Sequence, residues 1–427
     1  MSKSIGILGA GTAGLHLGLY LRQQGVDVTI FTDREPKDYA GMRLLNTVAH
    51  HAVTIRHERA LGVDHWNDQE HGYFGHHYFV GLPKKPIRFY GEYNAPSRAV
   101  DYRIYQPLLM EDFLKRGGKI EYRDIRGADV SPISSRFDLI AVCTGKGSLG
   151  QMFQHEPAHS PFDRPQRALC VGIFKGIHQR PRRAVTMHFA PGVGEIIEIP
   201  TITFSGMQTA LVIENLAGGD TEILARAKYA ENPKAFLKLL LEKLRRHYPD
   251  CAERIDESEF DLANSPLDIL QGGVTPTVRK SHVVLDNGKV AVALGDVQSV
   301  LDPLLGQGAN MASFAAQILG EEIVRHEVYD ARFVEGVDLR RQDRILSASR
   351  WTNFMLRTLS AMPEEFQRFV TQLSENRSLS DAFTDNFNFP ERQWDCFASP
   401  ERMTHWLESL MENASNKKRV ETLSRAA

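Results

Sequence analysis

Apolar residues fill Ser4 to Leu8 and give way at once to Gly9-Ala10-Gly11-Thr12-Ala13-Gly14, after which Leu15, Leu17, Leu19 and Leu21 stand in an unbroken helix-forming stretch. A short apolar run, a glycine turn and a leucine-rich segment predict a buried strand, a tight turn and a helix. Gly25 ends that helix, and Val26 to Phe31 alternates as a second strand, which closes a unit with the length of a βαβ element. Two further buried-strand patterns stop at glycine: Phe137 to Gly145, and Val290 to Leu294 ahead of Gly295-Asp296. Between Arg167 and Asn215 the chain turns to β-branched and aromatic residues broken by Pro and Gly, as in Glu195 to Phe204 and Gln208 to Glu214, which predicts an antiparallel sheet. Helices intervene from Ala235. Beyond Gly320 the pattern is helical, with Asp343 to Leu359 and Pro363 to Leu373 as helices and a polar tail after Asn413 that is expected to fray.

The glycine loop has a mechanical reading. Gly9 allows the turn, Gly11 lets a pyrophosphate approach the backbone, and Gly14 lets helix and strand pack closely. Thr12 and Ala13 then open a helix whose free amides and positive dipole favour phosphate. Dinucleotide binding is the expectation, against a merely structural turn. An acidic residue for the adenosine ribose belongs about 20 residues further on, at the end of the second strand. Thr32 and Asp33 follow Phe31 there; in the common register Thr32 takes the acid's place and Asp33 comes one residue late, so the ribose partner is Thr32 or Asp33.

Composition narrows the class. With 42% hydrophobic and 24% charged residues, the 427-residue chain is an ordinary globular protein large enough for a two-domain enzyme. Its 51 basic and 53 acidic groups give a net charge of −2, and the only basic run is Lys417-Lys418-Arg419, so no nucleic-acid partner is expected. No apolar run approaches the ~18 residues of a membrane span, and with a strand starting almost at once no signal peptide is expected. Cys143, Cys170, Cys251 and Cys396 are scattered without a Cys-x-x-Cys pair, which suits a reducing cytoplasm and excludes a disulfide framework or zinc knuckle.

The second half of the chain decides between NAD and FAD. Gly295-Asp296 is followed by Asp302-Pro303-Leu304-Leu305-Gly306-Gln307-Gly308-Ala309-Asn310, which puts a carboxylate and a helix start in one stretch. FAD needs both, a carboxylate for its ribityl hydroxyls and amides for the N1–C2=O edge that becomes negative on reduction. An Asp that merely caps a helix is the competing reading.

At these residues the chain resembles the glutathione-reductase-type FAD monooxygenases. Gly41 to His50, Ala95 to Arg103, Leu267 to Val274 and Phe387 to Asp395 are similar to the epoxidase component of two-component styrene monooxygenases, over nearly the whole chain up to about Glu412. The resemblance implies an α/β fold: a glutathione-reductase-type FAD-binding Rossmann domain from residues 1–50, 95–165 and 275–325, an antiparallel β-sheet substrate domain from 51–94 and 166–274, a helical C-terminal region at 326–412 and a disordered tail at 413–427. It also implies FAD received as FADH2 from a separate NADH:flavin reductase, a flavin C4a-hydroperoxide formed with O2, and epoxidation of styrene-like vinyl arenes, with indole and aryl sulfides as further substrates. A homodimer is compatible with it.

The implied flavin contacts add Arg43, Leu44, Leu45, Arg103, Thr144 and Gly145 to the two glycine stretches, including Gly306, Gly308, Ala309 and Asn310. Arg43 and Asn46 would flank the reacting ring, and Val48, His50, Tyr73, His76 and Ser97 match the styrene-type rather than the indole-type pattern. His50 and His76 are therefore the histidines expected at the chemistry. Seven of the 16 histidines fall between His50 and His77, yet no His-Glu-x-x-His pair or nearby Cys supports a metal, and an acid/base or a hydrogen-bonding role remains for each.

One departure bears on mechanism. Single-component hydroxylases carry an Asp-Gly pair where this chain reads Cys143-Thr144-Gly145-Lys146, and Gly306-x-Gly308 lacks the third glycine of a second nucleotide loop. No place for NAD(P)H is evident, which disfavours a self-sufficient aromatic hydroxylase. The four tryptophans are nowhere two apart, so a halogenase Trp-x-Trp motif is absent. An intact Gly295-Asp296 argues against a noncatalytic protein of the GDP-dissociation-inhibitor kind.

Overall fold

The glycine turn forms as its residues dictate, and the strand it follows becomes the centre of a parallel sheet. A computed structural model describes residues 3–47, 49–82, 85–145 and 147–412. Val48 and the segment 413–427 lie outside them, so the expectations placed there are not addressed.

The first sheet has six strands in the order His282–Val284, Val290–Ala293, Leu139–Val142, Ser4–Leu8, Asp27–Thr32 and Lys119–Tyr122. All neighbours are parallel except His282–Val284, which pairs antiparallel at the edge. The inner strands are buried along their length, as sheets covered on both faces require. Helices Thr12–Gln23, Tyr102–Lys115 and Gly308–Arg325 pack on this sheet through Leu15, Leu19, Phe113, Ala315 and Leu319.

The second sheet runs Asp261–Leu262, Ala168–Lys175, Gly206–Asn215, Gly194–Thr203, Val185–Ala190, Tyr73–Val80, Ile87–Val100 and Ala49–His50, with Ile269–Gly273 also paired to Ala168–Lys175. The antiparallel hairpin Gly194–Asn215 at its centre matches the sequence pattern. Two features do not. Tyr73–Val80 pairs parallel with Val185–Ala190, and Ala99-Val100 pairs parallel with Thr201-Ile202, so the sheet is mixed. Residues 49–50 and 95–100, which the sequence grouped with the nucleotide domain, are strands of this second sheet.

The C-terminal region is helical as expected. A single 31-residue helix, Ala331–Ala361, replaces the shorter Asp343 to Leu359, because its first turns bury Phe333, Val334 and Val337 against the first sheet's layer. Helices Glu364–Glu375, Arg377–Asp385 and Pro390–Phe397 cover the second sheet through Phe366, Phe369, Phe383 and Phe397. No helix among the described residues is long and apolar enough to cross a membrane.

Candidate active site

One cavity of about 820 Å³ joins the glycine loop to the inner face of the second sheet. Its size is in the range of a cofactor and small-ligand site. Three groups of residues build it.

At the nucleotide end, each glycine has a separate steric reason. Gly9 has φ +109°, and a Cβ there would stand 2.5 Å from the Cys143 carbonyl oxygen. A Cβ on Gly14 would meet the Gly9 carbonyl oxygen at 2.0 Å, so only glycine lets the helix sit against the turn. A Cβ on Gly11 would have no neighbour nearer than 3.9 Å, which leaves open space over the backbone. The helix Thr12–Gln23 starts at this point with no side-chain cap. Thr32, Asp33, Arg123 and Asp124 carry the lining onward past the second strand, and Asp33, exposed and 3.7 Å from Arg34, and buried Thr32 both face the cavity.

At the middle, Gly295 and Gly306 take the left-handed conformation (φ +62° and +61°) and bring Asp296 and Pro303 to the wall. The helix Gly308–Arg325 also begins without a side-chain cap, and nothing lies within 4 Å of where a Gly308 Cβ would be. Two uncapped helix N-termini thus open on one cavity, and a dinucleotide with a reducible ring matches that donor set. These residues fit FAD: phosphates on the amides of Gly11 to Ala13, ribityl hydroxyls on Asp296, and the ring edge at Gly308 and Ala309. Thr144 and Gly145 line the same space, and the buried Thr144 hydroxyl has no other partner.

At the far end, Leu169, Val171, Val185, Met187, Ile197 and Val212 present the second sheet's apolar face, with Asn46, Tyr73, His76 and Phe387 at the rim between sheet and flavin end. His76 is buried, its Nε2 2.7 Å from the Tyr93 hydroxyl and its Nδ1 3.2 Å from the Tyr78 hydroxyl, which in turn meets Thr384 at 3.0 Å. Burial holds its pKa well below the ordinary imidazole value, with His51 and His77 adding to the effect. His76 is therefore a neutral, clamped hydrogen-bonding group rather than a free acid. Tyr73 and Tyr93 are held protonated by burial, next to Ser97.

Several expected residues do not line the cavity. His50 turns away from it: its Nδ1 lies 2.9 Å from Glu58 and its Nε2 3.1 Å from the Tyr102 hydroxyl. The neighbour His51, the extended residue between strand Ala49–His50 and helix Ala52–Leu61, faces the cavity instead, because adjacent residues of an extended backbone point to opposite sides. Burial lowers the His51 pKa to about 3, so it too is neutral. Ser97 is fully buried one layer back, 3.4 Å from His51 Nδ1. Arg43 is exposed and outside the lining, whereas its neighbours Leu45 and Asn46 are in it. The Leu44 amide donates to the Leu267 carbonyl and its side chain packs in the core. Arg103 is buried between Asp101 (2.5 Å) and Asp268 (2.6 Å), a tie between the two sheets. Asn310 accepts from the His51 amide and the Thr54 hydroxyl and donates to the Ala49 and Gly306 carbonyls, locking strand Ala49–His50 to the helix start.

Sequence reasoning missed two buried polar clusters. In one, Thr12, Tyr102, His50, Glu58, Tyr105 and His16 form a chain of contacts no longer than 3.3 Å, from the glycine loop to a carboxylate also held by Arg98. Burial pushes the Glu58 carboxyl up, but His50 and Arg98 outweigh it and bring the pKa down to about 2. In the other, Glu195 and Glu214 are direct neighbours across the central hairpin; Arg167 pairs with Glu195 at 2.7 Å, and Glu214 hydrogen-bonds Asp302 on the cavity wall. Burial, then Asp302 and Glu195, push the Glu214 carboxyl well up, which favours its protonated form. The one His and carboxylate set close enough for a metal among the described residues, His188, Glu198 and Asp250, is outside the cavity and already neutralised by Arg254 and Arg180.

Comparison with known proteins places this arrangement. Residues 145–254 match the family described as "Styrene monooxygenase A putative substrate binding domain". The chain is 62% identical to styrene monooxygenase StyA of Pseudomonas fluorescens and 61% identical to styrene monooxygenase StyA of a Pseudomonas species, each over 95% of this chain and 98% of the relative. The flavin-dependent brominase Bmp2 shares the fold, with a TM-score of 0.66 at 15% identity over 98% of this chain and 100% of that one.

Proposed function

This chain belongs to the styrene monooxygenase A family, and from that premise we propose that it is an FAD-dependent epoxidase of styrene-like vinyl arenes. A separate NADH:flavin reductase supplies the flavin as FADH2. The observation that carries the reading is the single cavity in which two uncapped helix N-termini meet an apolar sheet face.

Reduced FAD and O2 supply an electrophilic oxygen atom, one atom of O2 going to the alkene and the other to water. The residues of this chain bind, orient and exclude water. The amides of Gly11 to Ala13 would hold the pyrophosphate, Asp296 would accept from the ribityl chain, and the Gly308 helix start would supply amides to the ring edge that gains charge on reduction. The apolar wall from Leu169 to Val212 dries the site, which limits loss of the oxidant as hydrogen peroxide. An alkene has no proton to remove, so neutral His76, fixed by Tyr93 and Tyr78, suits a positioning role. His50 acts through Tyr102 on the glycine loop rather than on substrate.

We take residues 1–50, 95–165 and 275–325 as the FAD-binding domain and 51–94 and 166–274 as the substrate domain, with strands 49–50 and 95–100 lying on the border between them. A self-sufficient NAD(P)H hydroxylase is the second reading, and Thr144 at the place of the mid-chain Asp counts against it. Turnover of styrene with FAD, a generic flavin reductase and NADH, with and without this chain, tests the proposal. Styrene oxide only when the chain is present supports it; flavin-independent or absent epoxide refutes it.

A further inference from the structure

The substrate end of the cavity does not stop at a solid wall. Beside it, between the second sheet and the C-terminal helices, lies a separate void of about 20 Å³ with an entirely apolar surface. This is room for about one water molecule, and a void without polar partners stays dry. Met187, Leu305 and Phe387 line both spaces and form the partition between them. Phe387 is the largest of the three. Its ring sits edge-on to His76 at 4.6 Å and to Trp351 at 4.9 Å, and it is buried.

The backbone of this partition is anchored independently of the ring. The Phe387 carbonyl accepts from Gln307, and the next residue, Asn388, accepts from the Val53 amide and has its own carbonyl held by Arg344. Truncating the ring therefore removes the partition without freeing the segment that carries it. Behind it, Phe366, Val370, Leu373 and Phe383 offer a continuous apolar lining on helices Glu364–Glu375 and Arg377–Asp385.

We infer that Phe387 closes a second, latent compartment of the substrate cavity and is the residue that limits how far a vinyl arene can extend toward the C-terminal helices. The compartment takes the chemical class its lining dictates: the fused ring or bulky alkyl substituent of a larger vinyl arene, on the side away from the flavin. This rests on the epoxidase reading above.

The test compares styrene with 2-vinylnaphthalene in the full-length chain loaded with FAD. Phe387→Ala should raise the ratio of kcat/KM for 2-vinylnaphthalene over styrene at least tenfold, the discrimination that a hydrophobic wall of this kind supplies. Phe387→Leu, which keeps a branched side chain, and Met187→Ala, which opens the partition from the sheet side, guard against an Ala variant that does not fold. Both should raise the ratio severalfold. Equilibrium binding of 2-vinylnaphthalene to the same proteins should tighten in the same order, a readout that needs no turnover. A ratio and an affinity within twofold of the parent in folded Phe387→Leu and Met187→Ala would overturn the inference. If the parent chain forms no styrene oxide, the epoxidase reading fails, and the binding series alone decides on the compartment.

Discussion

Replacing Glu214 by glutamine should make the protein more stable at alkaline pH, an uncommon outcome for a fully buried polar residue. In the folded chain Glu214 lies beside Asp302, faces Glu195 across the hairpin and is opposed by Arg167, which acts to lower its pKa. Its folded pKa is raised, so the folded state keeps a proton that the unfolded chain releases near the ordinary carboxylate value, about 4.3. The stability tied to that proton is fully present below this value and is lost as pH rises through the folded one. While the proton is retained, each pH unit costs about 1.4 kcal/mol. At roughly 2.1 cal/mol/K of unfolding entropy per residue, that is about 1.5 °C in melting temperature per pH unit for a chain of this size. Glutamine has nearly the same shape, donates permanently to Asp302 and carries no charge at any pH. Melting curves of parent and Glu214→Gln from pH 5 to pH 9 should separate progressively as pH rises from the acid end, the variant gaining on the parent. Parallel curves over that range would show that Glu214 does not hold a proton and would refute this account of the cluster.

Gly14→Ala should abolish detectable FAD binding while leaving other surfaces intact, because its Cβ would stand 2.0 Å from the Gly9 carbonyl oxygen; flavin titration with unchanged affinity would contradict this steric reading. Asp296→Ala should weaken FAD binding by ~1–3 kcal/mol, and reduced FAD should bind the parent more tightly than oxidised FAD, both measured by titration under anaerobic conditions. NADH or NADPH alone should not bleach the bound flavin in stopped-flow experiments, and rapid bleaching without a reductase would favour the self-sufficient hydroxylase. His76→Ala should retain some epoxidation but lower the epoxide formed per NADH consumed by roughly 10- to 100-fold, as expected of lost positioning. Complete loss of product with normal FAD affinity would instead give His76 a direct chemical part.

The flavin end of the site was legible in the sequence because its demands are local. Gly9, Gly11 and Gly14 answer to backbone geometry within six residues, and Gly295-Asp296 with Gly308 does the same for the second helix start. The substrate end was less so. His50 and His51 are adjacent, and which one faces the cavity depends on the pairing of strand Ala49–His50 with Ile87–Val100, a contact some 50 residues away. Glu195, Glu198 and Glu214 stand in strands that the sequence predicts, but their burial was not legible there, since Arg167, Arg254 and Asp302 meet them from distant segments. Glu58 was invisible for the same reason: its partners His50, Arg98 and Tyr105 come from three separate elements. Phe387 could be noticed only as part of the stretch that carries the family resemblance, because nothing in its neighbours announces a partition.

The order of strands in the first sheet also sets a clock. Ser4–Leu8 leaves the ribosome well before its neighbour Leu139–Val142, and Val290–Ala293, which completes the parallel core, follows later still. At bacterial and eukaryotic elongation rates the interval from Leu8 to Ala293 lasts roughly 15–60 s. Throughout it, Ser4–Leu8 and Asp27–Thr32 can pair with each other while one apolar edge waits for a partner not yet made. The yield of active enzyme should therefore respond to translation speed, growth temperature and chaperone supply more strongly than the stability of the finished fold would suggest.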